Sequence, residues 1–325
     1  MREKVFIAID SGKYATKGLL EHRGKVYATL FRTKMQMTNE LGMELNENSY
    51  KVEFEGQQYL AGDVVSEEYS DFNLSKESMP HKLAIYIAII ELMNKANLSL
   101  HNTELHVAIN APINVYKNSQ LKNSYKQFLE NNNRTITIRI NDKSFFFNLN
   151  DLTICFEGMG LVYESRKEYS NQSSVVIDIG GLNTTMCAFN GIQPDFNSMV
   201  VSGLGSNALK AKIERELVEK FGVAISSNDL EQIIQKGYFT HFAKKIKGSA
   251  EIISKIKKDH LDSVINFAKQ HGYTFNQDKI YFVGGGSMLL SNEIKTAFPN
   301  ASIVINPQFA NVKSFLEIIK VKYAS

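Results

Sequence analysis

Two stretches of this chain repeat one plan, and that repeat constrains the fold more than any other feature. Val5 to Leu20 reads VFIAIDSGKYATKGLL, and Ser174 to Phe189 reads SVVIDIGGLNTTMCAF. In each, an apolar run of the kind that forms a buried strand leads to an aspartate, Asp10 or Asp178. Two residues on stands a glycine, Gly12 or Gly180, the latter followed by Gly181, and a second short strand returns. Either stretch taken alone would be satisfied by an ordinary hairpin with a glycine turn. Glycine, however, also lets backbone N–H groups approach a ligand closely. Such a turn can cradle phosphate oxygens, with the nearby carboxylate holding Mg²⁺ through water. Two copies separated by more than half the chain predict two similar halves facing one nucleotide. Lys17, on the returning strand of the first copy, then neutralises phosphate charge, and Asp10 and Asp178 position the metal and its waters.

Composition narrows the alternatives. The chain has 325 residues, 43% hydrophobic and 22% charged, which suits a globular protein of two ordinary domains. A net charge of +3 is too small for a nucleic-acid binder, so tight direct contact with DNA is not expected. The two cysteines, Cys155 and Cys187, lie in apolar runs and predict buried thiols rather than a disulfide framework or a zinc site. In the opening MREKVFIAID, Asp10 comes too early for a signal-peptide core. The longest apolar stretch, Leu83 to Ile90, is too short to span a bilayer. The expectation is a cytoplasmic protein with no membrane partner.

Taken in order, residues 4–10, 15–22 and 25–33 read as three strands. A polar segment and a hairpin turning at Glu55-Gly56 follow, and 34–79 reads as a small inserted subdomain. Pro80 opens a helix whose inner face carries Leu83, Ile87, Ile90 and Met93. ELHVAIN at 104–110 reads as a strand, Val115 to Glu130 as a solvated helix, and Thr135 to Leu149 as a hairpin around Asn141-Asp142. Leu152 to Phe156 is a further strand, closed by Glu157, with a helix expected from about 158 to 167. After the second repeated hairpin, SGLGSNA at Ser202 to Ala208 approaches a dinucleotide fingerprint. No strand follows it as that motif requires, so Gly205 is read as letting a helix approach a ribose or pack closely. Residues 222–273 read as a Lys-rich helical subdomain with a solvated charged face. Lys279 to Val283 is a strand ending in Gly284-Gly285-Gly286 at a helix start, a pattern suited to close approach of adenine and phosphate. Ile303 to Ile305 is a last strand, and Ala310 to Tyr323 a C-terminal helix.

The ordered set of Asp10, Gly12 and Lys17, then Glu157 in CFEGMGLVYE, then Asp178, Gly180 and Gly181, then Gly284 to Gly286 resembles the actin-type ATPase superfamily across the whole chain. The end, NPQFANVKSFLEII, the length and the EGMGLVYE stretch are similar to the plasmid-segregation actins of the ParM type. The resemblance implies an α/β, actin-like (ribonuclease H-like) duplicated fold of two domains with a nucleotide cleft and two small inserted subdomains. The first domain would comprise 1–156, with its insertion at about 34–79, completed by 308–325. The second would comprise 157–307, with its helical insertion at about 222–273. It further implies ATP and ADP as ligands with Mg²⁺, and an ATPase in which Glu157 orients the attacking water and Asp178 and Asp10 hold the metal through water. Asp10, Ser11, Gly12, Lys13, Lys17, Gly180, Gly181, Asn183, Gly205 and Gly284 to Gly286 would contact the nucleotide. The partners implied are further copies in a polar filament and a DNA-binding adaptor at a plasmid centromere. A small-molecule kinase of the same fold is the alternative, although no acidic base for a substrate cleft stands out, and a chaperone would need a further substrate-binding domain. Three positions depart from the pattern. Asn183 and Thr185 stand where Thr and a second Asp are common, and Lys13 stands where a small hydroxyl residue is common, either strengthening phosphate binding or pointing to solvent.

Overall fold

The computed structural model describes residues 3–39, 45–69, 76–149, 151–156, 169–304 and 309–323. The chain divides into two compact units, Met1–Glu164 with Asn311–Ser325, and Ser165–Ala310.

In chain order the first unit contains β1 (Glu3–Ser11), β2 (Ala15–His22), β3 (Lys25–Arg32), β4 (Met35–Met37), β5 (Ser49–Phe54), β6 (Gln57–Gly62) and α1 (Met79–Lys95). These are followed by β7 (Thr103–Ala111), α2 (Ile113–Lys117), α3 (Ser119–Leu129), β8 (Ile136–Ile140), β9 (Lys143–Phe147) and β10 (Leu152–Phe156). Its main sheet has the order β10-β7-β1-β2-β3, antiparallel from β1 through β3 and parallel from β1 through β10. A second sheet, β4-β6-β5-β8-β9, joins the segment after β3 to the hairpin of 136–147. The small subdomain is therefore built from two distant pieces of chain, a pairing set by β5 against β8 and not by any local turn.

α1 lies in one core with residues of both sheets. The sequence pattern assigns it a single inner face, yet twelve residues from His81 to Met93 are buried. A helix apolar all round is one enclosed on every side. Tyr86 explains why: its ring meets Phe54 of β5 and Phe147 of β9 edge-on, and its hydroxyl donates to the carbonyl of Leu129 at 2.8 Å. The single helix expected over Val115 to Glu130 is two, because Asn118 is extended and its side chain caps α3 by accepting from the N–H groups of Gln120 and Leu121.

The second unit contains β11 (Ser173–Ile179), β12 (Thr184–Asn190), β13 (Gln193–Ser202), α4 (Ser206–Phe221), α5 (Ser227–Lys236) and a two-residue ladder of β14 (Thr240–His241) and β15 (Lys244–Lys245). It continues with α6 (Ser249–Gln270), β16 (Lys279–Val283), α7 (Gly285–Leu289), α8 (Ser291–Ala297) and β17 (Ser302–Ile303). Its sheet, β13-β12-β11-β16-β17, reproduces the order and strand senses of β3-β2-β1-β7-β10. The duplication read from two hairpins thus extends through five strands. α4 to α6 share one core with this sheet, through Leu209, Ile213, Ile233, Ile253 and Val264 among others. Lys220, Lys236, Lys255, Lys258 and Lys269 are exposed, as a solvated face should be, whereas Lys210 is drawn inward to Glu231 and Lys257 to the Ile234 carbonyl. Among the described residues no helix is long and apolar enough to cross a membrane. Cys155 and Cys187 are buried free thiols, and burial raises the Cys155 thiol to about 12.

Candidate functional site

Both repeated motifs are hairpins of one register. In the first, β1 runs to Ser11 and β2 starts at Ala15, so that Asp10 faces Lys17 and Ser11 faces Thr16. In the second, Asp178 faces Thr185 and Ile179 faces Thr184. The turns close alike, with Gly12 donating its N–H to Ala15 at 3.1 Å and Gly180 donating to Asn183 at 2.9 Å. A Cβ on either glycine would stand 3.1 Å from that same acceptor oxygen, tighter than ordinary contact. Lys17 therefore occupies on the first hairpin the place Thr185 holds on the second.

The first hairpin is strongly held. Asp10 is 5% exposed, and the Lys17 ammonium lies 3.5 Å from its carboxylate. The Ser11 N–H donates to Asn110 Oδ1 at 3.0 Å, and hydroxyls of Ser11, Thr16 and Thr33 form a buried chain with steps of 3.0 and 2.8 Å. At the tip, the Arg32 guanidinium lies 3.7 Å from the centre of the Tyr14 ring, and its Nε donates to the Tyr14 carbonyl. Lys13 is half-buried, and its charge is felt by His81, so it does not simply point to solvent.

The second hairpin is built from the glycines around it. Asp178 is 7% exposed at the end of β11. Gly284 follows β16 with φ +83°, and a Cβ there would fall 2.3 Å from Asp178 Oδ1 and 2.5 Å from the Ile179 carbonyl oxygen. Gly286 is equally restricted by Ile179, whereas nothing lies within 4 Å of a Cβ at Gly285. The three glycines thus do different work: two let α7 close against β11, and one faces open space. Gly205 resolves in the same way. A Cβ there would strike the Gly181 oxygen and the Leu182 carbonyl carbon at 2.3 Å, and the first N–H groups of α4 donate to hairpin carbonyls, Ser206 to Gly180 and Asn207 to Gly181. Of the two readings of Gly205, the geometry carries close packing, because those helix-terminal donors are engaged by protein. The dinucleotide fingerprint likewise lacks its second strand, since α4 is followed by α5. By contrast, no backbone carbonyl among the described residues accepts from the N–H groups of Gly181, Leu182 or Asn183. Gly181, Leu182 and Asn183 are half-buried, and such a run of consecutive N–H groups is of the kind that can receive an anion, although the Asn183 nitrogen also packs against Gly205.

Glu157 lies outside the described residues. The sequence reading also missed the groups behind the first hairpin, namely Asn110, Thr16, Thr33 and Lys76. Asn110 had a signal: it is a polar residue ending an apolar strand, as Asp10 and Asp178 are. Lys76 had none, since nothing local distinguishes it from a surface lysine.

The carboxylates suit a hard cation. Mg²⁺ takes oxygen ligands, keeps several waters and is held by one or two carboxylates together with phosphate oxygens rather than by a cage of protein groups. Among the described residues no cluster of three or more His, Cys, Asp or Glu could form such a cage. Asp10 in the first unit and Asp178 in the second are each a buried carboxylate at a strand end beside a glycine turn.

Residues 8–160 match the family model described as actin like proteins N terminal domain. A search of curated protein sequences gives no match. Among solved structures the chain is similar to a 15-stranded ParM filament from Clostridium botulinum, with 19% identity, 98% of this chain and 99% of that chain covered, and a TM-score of 0.79. It is similar to the Alp12 filament, with 24% identity, 99% of each chain covered and a TM-score of 0.73. It is also similar to Ta0583, an archaeal actin homologue in complex with ADP, with 17% identity, 98% and 99% coverage and a TM-score of 0.78.

Proposed function

We propose that this chain, an actin-like protein in its N-terminal family and in its fold, hydrolyses ATP and couples turnover to the growth of polar filaments that segregate plasmid DNA through a DNA-bound adaptor. The observation that carries the nucleotide reading is the repeated hairpin: one register, one closing bond and a buried aspartate at the same place in each half. The ADP complex of a similar fold supports a nucleotide as the ligand. Filament structures of similar fold support self-assembly, and the ParM identity of one of them, with the ParM-type resemblance of the sequence, supports the DNA cargo and the adaptor.

Catalysis of phosphoryl transfer is mostly positioning and charge stabilisation. Bound Mg²⁺ would supply neutralisation of phosphate charge, and Asp10 and Asp178 are assigned to its water shell. Lys17, with Lys13 on one hairpin tip and Gly181 and Asn183 on the other, is assigned to the phosphates; Ser11, Gly12 and Gly180, whose N–H groups are bonded to Asn110, Ala15 and Asn183, shape those tips. Gly285, open on the side of its missing Cβ, is assigned to nucleotide contact. Gly284 and Gly286 bring that contact close. Glu157 is assigned to orient the attacking water. A cytoplasmic location follows from this role.

The test is phosphate release by purified Asp178→Ala at saturating Mg²⁺. Turnover should fall by about a hundredfold, as when one well-placed charge-stabilising group is removed. Turnover like that of the parent protein would remove Asp178 from the metal site.

A further inference from the structure

Behind the first hairpin lie groups that the phosphate reading does not use. Lys76 is 6% exposed, and its ammonium donates to the Ser11 carbonyl at 3.1 Å. That carbonyl belongs to the same peptide as the Gly12 N–H, which donates to Ala15. The peptide entering the turn is therefore gripped at both ends. The preceding peptide is gripped as well, because the Ser11 N–H goes to Asn110. Asn110 is itself fixed: its carbonyl accepts from the Tyr125 hydroxyl at 3.1 Å, and that hydroxyl lies 2.7 Å from His81 Nε2. A hydroxyl has one proton. With that proton on Asn110, His81 must donate from Nε2, which leaves its buried Nδ1 as an acceptor with no protein partner among the described residues. His81 is thus a neutral imidazole beside two cations, Lys76 and Lys13.

Burying an ammonium is costly unless its charge is used or compensated. Lys82 shows the structural solution nearby. It donates to Asn131 Oδ1 and lies over the rings of Phe54, Tyr86 and Phe128. Among the partners of Lys76 is the Ser11 carbonyl, in the peptide that enters the turn between Asp10 and Lys13.

We propose that Lys76 is a positioning residue for the triphosphate, fixing the Ser11–Gly12 peptide in one orientation at the hairpin. This rests on the reading of the hairpin as a phosphate site. Because the lysine contacts the backbone from within, it acts through the hairpin and not as a catalytic residue. Removing it should weaken nucleotide binding more than it slows the chemical step.

The experiment compares the full-length protein with Lys76→Met, Lys76→Arg and Lys76→Gln, at a protein concentration that gives no pellet on sedimentation. MgATP affinity is read by calorimetry, and KM and kcat by phosphate release. Lys76→Met should raise both Kd and KM about tenfold while kcat stays within about threefold, the scale of one charged hydrogen bond. Lys76→Arg should restore most of the affinity, and Lys76→Gln, a neutral donor, should fall between. A purely structural lysine would instead lower the active fraction, and so the apparent kcat, with KM unmoved; that result overturns the proposal. If Lys76→Met does not fold, Lys76→Gln is judged by the same split of KM from kcat. A parent protein that fails to bind MgATP would remove the phosphate reading and this proposal together, whereas a binding parent with unchanged variants removes only the role of Lys76.

Discussion

At the scale of single residues, the glycines separate fold from function. Gly284 combines a left-handed φ of +83° with a Cβ position 2.3 Å from Asp178 Oδ1, so any side chain must push the aspartate aside. Gly285 has neither constraint on its Cβ side. Gly284→Ala should therefore lower stability by about 2–4 kcal/mol, the range of backbone strain added to a core clash. Gly285→Ala should change it by less than about 1 kcal/mol, consistent with its modest loss of chain entropy. Urea unfolding of both variants checks this. Equal losses would mean that the three-glycine run is only a tight turn. The same logic explains why two aspartates could be found from sequence. Each ends an apolar strand just before a glycine, a purely local pattern, and the strand places its carboxylate at the sheet end.

At the scale of elements, α1 is both a core helix and the back wall of the first hairpin. His81 on this helix is held neutral by burial first, and then by the charges of Lys76 and Lys13, so its folded pKa lies well below the ordinary value of 6.5. His260 on α6 is also lowered, chiefly by burial. The sign follows from proton counting. Below about pH 6.5 the unfolded chain takes up protons that these folded imidazoles refuse, so stability falls as the pH falls, by about 1.4 kcal/mol per pH unit for each such proton. His81→Gln keeps a donor for Tyr125 and cannot titrate. Its stability between pH 6.5 and 5 should decline less steeply than that of the parent, by about one proton's worth of slope. Identical slopes would show that His81 accepts a proton in the folded state. Nothing in the local pattern of α1 revealed this environment. The spacing of Leu83, Ile87, Ile90 and Met93 marks one face, but burial of the others depends on β8 and β9, which arrive from residues 136–147. The pairing of β5 with β8 and the contact of Lys76 with Ser11 are long-range in the same sense. Local runs, turns and caps do not encode them, with the partial exception of Asn118, an Asn just before Ser119, whose cap divides the helix that hydrophobic spacing alone joins.

At the scale of the whole molecule, the two units carry one five-stranded plan twice, each with a hairpin ending in a buried aspartate. The plan is duplicated and the hairpins diverge, with Lys17 in one half at the register position of Thr185 in the other. A ligand can bias assembly only through a difference in its affinity for the free and assembled forms, and the effect is reciprocal. Subunits that meet head to tail form a filament rather than a ring where the rotation between neighbours does not close. Under the proposed function the nucleotide must therefore change the concentration at which the protein assembles. The most direct measurement is sedimentation of the full chain over a concentration series with MgATP, MgADP or no nucleotide. Pelleting is expected above a critical concentration that is lowest with MgATP, and it should reverse as ATP is consumed. Monomer under all three conditions, at concentrations well above the micromolar range, would contradict it.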